Sequence, residues 1–431
     1  MSKNIYLIPL SLLLLLTGTS ASGQSPQLQK LTLAEAEKIA VQNHPQIQAA
    51  ISRASEARAH VTQERAAYYP NIYGSLTGVE AENNSRITAG VLNNPIIYAR
   101  FANGFTVNQL ITDFGRTHEL VRSTDLHALA EQESIVTTRA DVLLQVDRAY
   151  YGVLRSQAVL KVAQETVKER RIVAEQISEL EKNKIRSGLD VSFANVDLAQ
   201  AELLLVQAQN DIEASYATLS EALGYSDPRA FQLTEEPTPP PPAGFSGLLQ
   251  QALRDRPELI SLRLDANAAH GYATAQRDLW FPTVSATGAA GLTPAGVEQL
   301  APRYAAAGFN VNIPIFNGHL FGALRAEATS RARVEDQSLR DLEDQIARDV
   351  RAAWLAAKTA FQRLALTDQL LDEAAKALEL AQSRYKLGLS SIVELSQAQL
   401  NLTQAQIEQA SAKYDYQFQV SALNYQLGAL H

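Results

Sequence analysis

Many side chains in this sequence are able to do chemistry, but none is spaced for catalysis. Histidines stand at positions 44, 60, 118, 127, 270, 319 and 431 without the close spacing that gathers metal ligands. Neither a glycine-rich phosphate loop nor a strand-bounded nucleophile elbow is present. Cysteine is absent, which removes disulfides, thiolate metal sites and a lipid-modified cysteine. Carboxylates such as Asp341, Glu343, Asp344 and Asp349 lie on an uninterrupted helical stretch, where charge marks a solvated face. His44 precedes a helix-restarting proline and His319 follows a glycine turn, so both read as turn or capping residues. The chain therefore reads as a non-enzyme with no cofactor and no metal, and its chemistry is that of surfaces.

Lys3, the apolar run Ile5 to Leu16 and the small residues Thr17 to Gly23 give residues 1–23 the layout of a secretory signal, cleaved after Ala21 or Gly23. The run is far short of the roughly 20 apolar residues that a spanning helix needs. The formal charge of −8 becomes 37 − 46 = −9 once Lys3 is removed, which argues against nucleic acid as partner. Without a helical span, entry into a membrane has to use β-strands.

The elements are duplicated. Gly104-Phe105-Thr106-Val107-Asn108 returns as Gly308-Phe309-Asn310-Val311-Asn312, displaced by 308 − 104 = 204 positions. His44-Pro45 matches Arg256-Pro257, Tyr69-Pro70 matches Phe281-Pro282, Asp113-Phe114-Gly115 matches Phe316-Asn317-Gly318, and Leu223-Gly224 matches Leu427-Gly428. Two tandem halves follow, residues 24–236 and 247–431, joined by a proline-rich linker at 237–246. Such a linker is extended and semi-rigid, although a docking ligand for a proline-reading module has the same composition.

Each half reads as helix, β-hairpin, long helix, turn, helix. Thr32 and Glu35 form a capping-box pattern at the first helix start. The β-hairpins fall at about 71–112 and 283–315. Phe101, Phe105, Val107 and Ile111 alternate with Ala102, Gly104, Thr106 and Asn108; Ala305, Ala307, Phe309, Val311, Ile313 and Ile315 alternate with Ala306, Gly308, Asn310 and Asn312. The loops are expected at 81–99 and 293–303. Four strands are too few for a sandwich, yet each approaches the roughly 9–11 residues of a tilted membrane strand. They need partners from other chains.

The long helices run from Arg116 to Ser187 and from His319 to Leu387, each with one internal glycine, and about 70 helical residues would rise roughly 105 Å. Return helices Leu189–Leu223 and Leu389–Leu427 complete helical hairpins at 116–223 and 319–428. Leu205, Ile212, Tyr216, Leu219 and Leu223 mark one seam, and alanines on other faces permit a second, as a helix in a closed tube requires. Anchored on Gln207-Ala208-Gln209 and Gln404-Ala405-Gln406, the second return helix is expected to be one heptad longer.

This organisation, with the segment from Tyr385 to Gln399 (Tyr-Lys-Leu-Gly, then Glu394 and an alanine-rich helix), resembles the TolC-type outer membrane efflux proteins over essentially the whole mature chain. The resemblance implies a mainly α fold with membrane β: a homotrimer whose chains give four strands each to a twelve-stranded barrel, continued by a long α-helical tunnel. It implies a bacterial outer membrane location and a periplasmic extension. The partners implied are two further copies, outer membrane lipid, a periplasmic adaptor and an inner membrane pump. The function implied is that of a passive exit duct in efflux or type I secretion. A secreted structural coiled-coil protein is the alternative, and it would need no lipid-facing strands.

Phe105, Val107, Phe309, Val311 and Ile313 are then expected to face lipid. The adaptor-docking tips fall at Ser187-Gly188-Leu189 and Leu387-Gly388-Leu389. Glu394 stands at the first acidic position of the family's constriction, while Gln397 replaces the second acid. Asp197, at 394 − 197 = 197 residues earlier, is taken as the first-half counterpart of Glu394. Ser390 replaces a basic residue that helps latch a relative closed, so a latch here has to be built from other groups.

Overall fold

The computed structural model describes residues 30–82, 84–86 and 96–430. The expected signal, residues 1–23, and most of the first β loop lie outside the described residues. In chain order the elements are β1 (Lys30–Leu31), α1 (Leu33–Asn43), α2 (Pro45–Arg65), β2 (Asn71–Val79), β3 (Arg100–Thr112), α3 (Arg116–Lys182) and α4 (Gly188–Ala222). The second half contains β4 (Gln232–Leu233), α5 (Leu248–Asp255), α6 (Pro257–Arg277), β5 (Thr283–Gly296), β6 (Arg303–Asn312), α7 (Leu320–Lys386) and α8 (Ile392–Gln426).

Local signals account for the boundaries. Thr32 and Glu35 close the capping box of α1. His44 caps α2, its Nδ1 accepting the Gln46 N–H at 3.3 Å, with Pro45 at the first helical position. His319, in the left-handed region at φ 68°, is the N-cap of α7. Its counterpart in the first half is Gly115, at φ 108°, rather than the residue matched by the glycine pair, because α7 starts 320 − 116 = 204 positions after α3.

The two halves keep this displacement through both hairpins. Helices α3 and α7 have 67 residues each, and α4 and α8 have 35 each. The expected extra heptad is therefore absent. Gln-Ala-Gln is a frequent triplet on helices rich in these two residues, so it does not define a unique register. Helix α3 also stops five residues short of Ser187, because Lys184 enters the left-handed region at φ 58° and the Ile185 N–H returns to the Leu180 carbonyl at 2.9 Å.

Among the described residues strands pair antiparallel in the order β2-β3-β5-β6, so β2 and β6 each have one neighbour there and one open edge. Register puts Ile72, Leu76, Phe105, Val107, Phe309 and Val311 on one face, all exposed. The opposite face carries Tyr73, Ser75, Thr106, Asn108, Thr287 and Asn310, with the Thr287 hydroxyl donating to Asn108 at 2.8 Å. On that polar face the Tyr304 side chain lies over Gly104 and Gly291, filling the space that a Cβ at either glycine would need. Ile313 lies beyond the sheet, contrary to expectation. Pro314 has no N–H to extend the ladder, and β6 ends at Asn312. The second loop is shorter than expected, since β5 continues to Gly296.

Helix α3 is the central spar, packed on α2 and α6 in one stretch and on α4 and α8 in another. One core cluster joins Ala36, Val146, Tyr150, Leu219 and Phe231; another joins Leu259, Ile346, Val350 and Leu423. Neighbouring helices are also pinned by His127–Asp265 at 2.7 Å and His270–Asp336 at 3.1 Å. Among the described residues no group of histidines and carboxylates is arranged to hold a metal, and no helix is long and apolar enough to cross a membrane.

The linker is extended, and it is tied down along its length. Tyr416 donates to the Pro240 carbonyl at 2.6 Å, Gln417 to Glu236 O at 2.9 Å, and the Trp354 indole to Ala243 O at 2.9 Å. At its start, β4 pairs parallel with β1. The linker thus acts as a strap across α7 and α8.

Candidate functional site

The far ends of the helical hairpins bring together most of the residues singled out for function. At the second tip Gly388 is left-handed at φ 73°, its N–H bonded to Tyr385 O at 3.0 Å and the Leu389 N–H to Arg384 O at 2.8 Å. This paired pattern closes a helix on a glycine and leaves the flanking Leu387 and Leu389 side chains in solvent. At the first tip Lys184 takes the place of Gly388 and Ile185 that of Leu389. Gly188 is instead the first residue of α4, and Ser187 is its N-cap. The first tip therefore has its turn at residues 183–187, with Ile185 and Leu189 exposed. Lys184 and Ile185 went unnoticed in the sequence, although the 204-residue displacement points straight to them.

Glu394 and Gln397 share one exposed face at the start of α8, followed by Asn401, to which the Gln397 amide donates at 2.9 Å. Glu394 is not a bare charge, because Arg384 on α7 meets its carboxylate at 3.0 Å. By the constant displacement its first-half counterpart is Asp190. Asp190 accepts the Ser187 N–H at 3.0 Å and completes a capping box.

Asp197 is therefore not the counterpart of Glu394. It sits half-buried between α4 and α8, accepting the Ser396 hydroxyl at 2.5 Å in a cavity of about 230 Å³. Buried Arg170 on α3 lines the same cavity and donates to Thr403 at 3.3 Å. Burial lowers the Arg170 pKa, and Asp197 counters that shift. Asp197 thus places a negative charge near a buried cation between the helices.

The two hairpins touch through Arg186. Its guanidinium lies 3.9 Å from the centre of the Tyr385 ring and donates to the Tyr385 carbonyl. Burial, with Asp190 adding, raises the Tyr385 pKa, and its hydroxyl has no hydrogen-bond partner. Ser390, also without a partner for its hydroxyl, takes no part in this contact.

A sheet with one exposed apolar face and two open edges, set on paired helical hairpins, is the architecture of an outer membrane channel subunit. The chain belongs to the outer membrane efflux protein family, whose model matches residues 38–225 and 248–429, one segment in each half. It is 23% identical to the alkaline protease secretion protein AprF of Pseudomonas aeruginosa over 93% of this chain and 85% of that protein. It is 24% identical to the outer membrane efflux protein BepC of Brucella suis over 93% and 86% of the two chains. The Campylobacter jejuni CmeC outer membrane channel superposes with a TM-score of 0.82 at 17% identity, covering 92% of this chain and 85% of that one. VceC of Vibrio cholerae gives 0.79 at 20% identity, covering 92% and 96%. These structures share the fold. Localisation in the outer membrane follows from the family.

Proposed function

We propose that three copies of this chain close a twelve-stranded barrel and form a passive exit duct for a pump on the far side of the periplasm. The observation that carries this reading is the pair of open edges on β2 and β6. An exposed edge leaves a row of backbone donors and acceptors unpaired, which lipid cannot satisfy. Joining β2 of one copy to β6 of the next pairs every edge. Three chains of four strands give an even-numbered antiparallel barrel. The apolar outer face argues against the structural coiled-coil alternative, which has no use for lipid-facing strands.

Because the chain has no cysteine, an introduced pair reports cleanly. Asn310→Cys on β6 combined with a cysteine scan along β2 is expected to yield crosslinked dimers and trimers from outer membranes, and nothing larger. Crosslinks confined to single chains would sink the trimeric barrel. Phe309→Asp or Val311→Asp is expected to block assembly, since charge on the lipid face costs up to a few kcal/mol near the midplane. Asn310→Asp should assemble normally. Equal loss of trimer from both classes would overturn the assignment of faces.

At the other end, the exposed apolar tips around Ile185, Leu189, Leu387 and Leu389 are proposed to dock a periplasmic adaptor that recruits an inner membrane pump. Glu394 and Gln397 are proposed to line the constriction, as one ring of carboxylates each backed by Arg384. AprF is named for protein secretion and BepC for efflux. A passive duct of this kind serves either cargo, with selection left to the pump.

A further inference from the structure

Where α1, α3, α8 and the strap meet, two carboxyls are neighbours, and among the described residues no cation is paired with either. Asp147 on α3 is 1% exposed, and its Oδ1 has no hydrogen-bond partner. It interacts with Glu37 on α1 and with Ser421 on α8. One turn back along α8, Gln417 is 2% exposed and leaves its own Oε1 unpartnered. The other titratable groups coupled to the pair are Glu236, just before the strap, and Tyr151 of α3. From helix α8 the group that acts on Asp147 is the neutral Ser421 hydroxyl. Glu235, by contrast, is met by Lys413 and by the Tyr414 hydroxyl.

An ionised carboxylate buried without a counter-charge is costly, and two neighbouring carboxyls do not both ionise readily. Burial foremost, with Ser421 opposing and Glu37 adding, pushes Asp147 up to about 7. Glu37 is raised as well, by burial first. The pair also sits close to a clamp. One turn along α3, the Tyr150 hydroxyl lies 3.0 Å from Leu31 O and 2.6 Å from Thr234 O, and it accepts the Thr234 N–H at 3.2 Å. That hydroxyl bridges β1 and β4, the point at which the strap leaves the first half.

We infer that buried Asp147, with Glu37 beside it, is a proton-binding site: its proton keeps α1, α3, α8 and the strap together, and loss of that proton loosens the seam. Both groups are raised above their ordinary values, so their contribution is fully present in the ordinary carboxylate range. It is lost as pH rises towards 7 and beyond. The seam is tight in acid and looser at neutral and alkaline pH.

The test is hydrogen exchange on the purified full-length protein in detergent from about pH 5 to about pH 8, corrected for intrinsic amide rates. The segment to follow contains the Thr234 amide, which donates to Leu31 O at 3.1 Å. Its opening equilibrium is expected to rise by up to about tenfold per pH unit below the raised pKa and then level off. Asp147→Asn, or Asp147→Leu where the first variant does not assemble, is expected to remove most of the rise. A flat wild-type profile overturns the inference, and so does a variant that keeps the slope. Protection restored by excess calcium at alkaline pH and lost in chelator would assign the site to a metal ion instead, and would also overturn it.

Discussion

The two hairpin tips have the same lengths and the same register, yet they use equivalent residues for different jobs. Asp190 and Glu394 occupy matching positions at the starts of α4 and α8. In the first hairpin Ser187 and Asp190 close a capping box. In the second, Ser391 makes no side-chain cap hydrogen bond, and Glu394 turns to Arg384 on the partner helix. The left-handed turn position differs in the same way, Lys184 in one and Gly388 in the other. An acid that caps its own helix is fixed by local geometry, whereas one released from capping is available to line an opening. Duplication supplied two copies of the hairpin, and only the second has its carboxylate free of the cap.

The sharpest way to break this comparison is at the turns. Gly388→Pro or Leu389→Asp is expected to abolish export while trimers remain in the membrane, because the first removes the Gly388 N–H and the second puts charge on the proposed apolar docking surface. Ile185→Asp at the matching first-half position should do the same. Normal export by these variants, measured as cargo released from cells, would mean that the adaptor binds elsewhere. Crosslinking of an adaptor only to the strap would mean the same.

A smaller effect separates the two acids. Glu394→Gln should weaken block by multivalent cations by at least about fivefold, taking ~1 kcal/mol for one charge pair at 4 Å in water as a lower bound. Arg384→Gln should strengthen the block, since it removes the cation at 3.0 Å from Glu394. Asp190→Asn and Asp197→Asn should leave it unchanged. Single-channel conductance with cation titrated from the tip side measures all four. Block that responds to Asp190 as strongly as to Glu394 would erase the division of labour.

The smallest effects are on stability. Ser187→Ala should cost about 1 kcal/mol, and Ser391→Ala almost nothing, because only the first removes a formed cap. Lys184→Gly should change stability by a few tenths to about 1 kcal/mol in the favourable direction, since it relieves a left-handed side chain but adds backbone entropy to lose. Local hydrogen exchange at the tips reads each of these. Equal cost at Ser187 and Ser391 would show that the caps do not distinguish the hairpins.

The duplication, the alternating strands and the long helices were legible in the sequence because each rests on local periodicity or on punctuation by proline and glycine. Thr32, His44 and Gly388 act where their types place them. Register within alanine- and glutamine-rich helices was not legible. One turn of such a helix resembles the next, so a triplet anchor produced a false heptad and matched Asp197 to Glu394. Constant spacing of 204 residues between whole elements corrected both. Nor did alternation reveal that Pro314 ends the ladder before Ile313.

By itself the sequence determined that this chain is a tandem repeat of strands and helical hairpins, with no cysteine and no spaced catalytic set, because composition and short-range spacing carry that information. The tertiary structure decided which charges are partnered: Arg384 with Glu394, Asp197 with Ser396, and Asp147 with Glu37 in place of a cation. These groups lie from 10 to about 200 residues apart in the chain. A charge's role depends on its neighbours and its burial, and only packing brings those neighbours together.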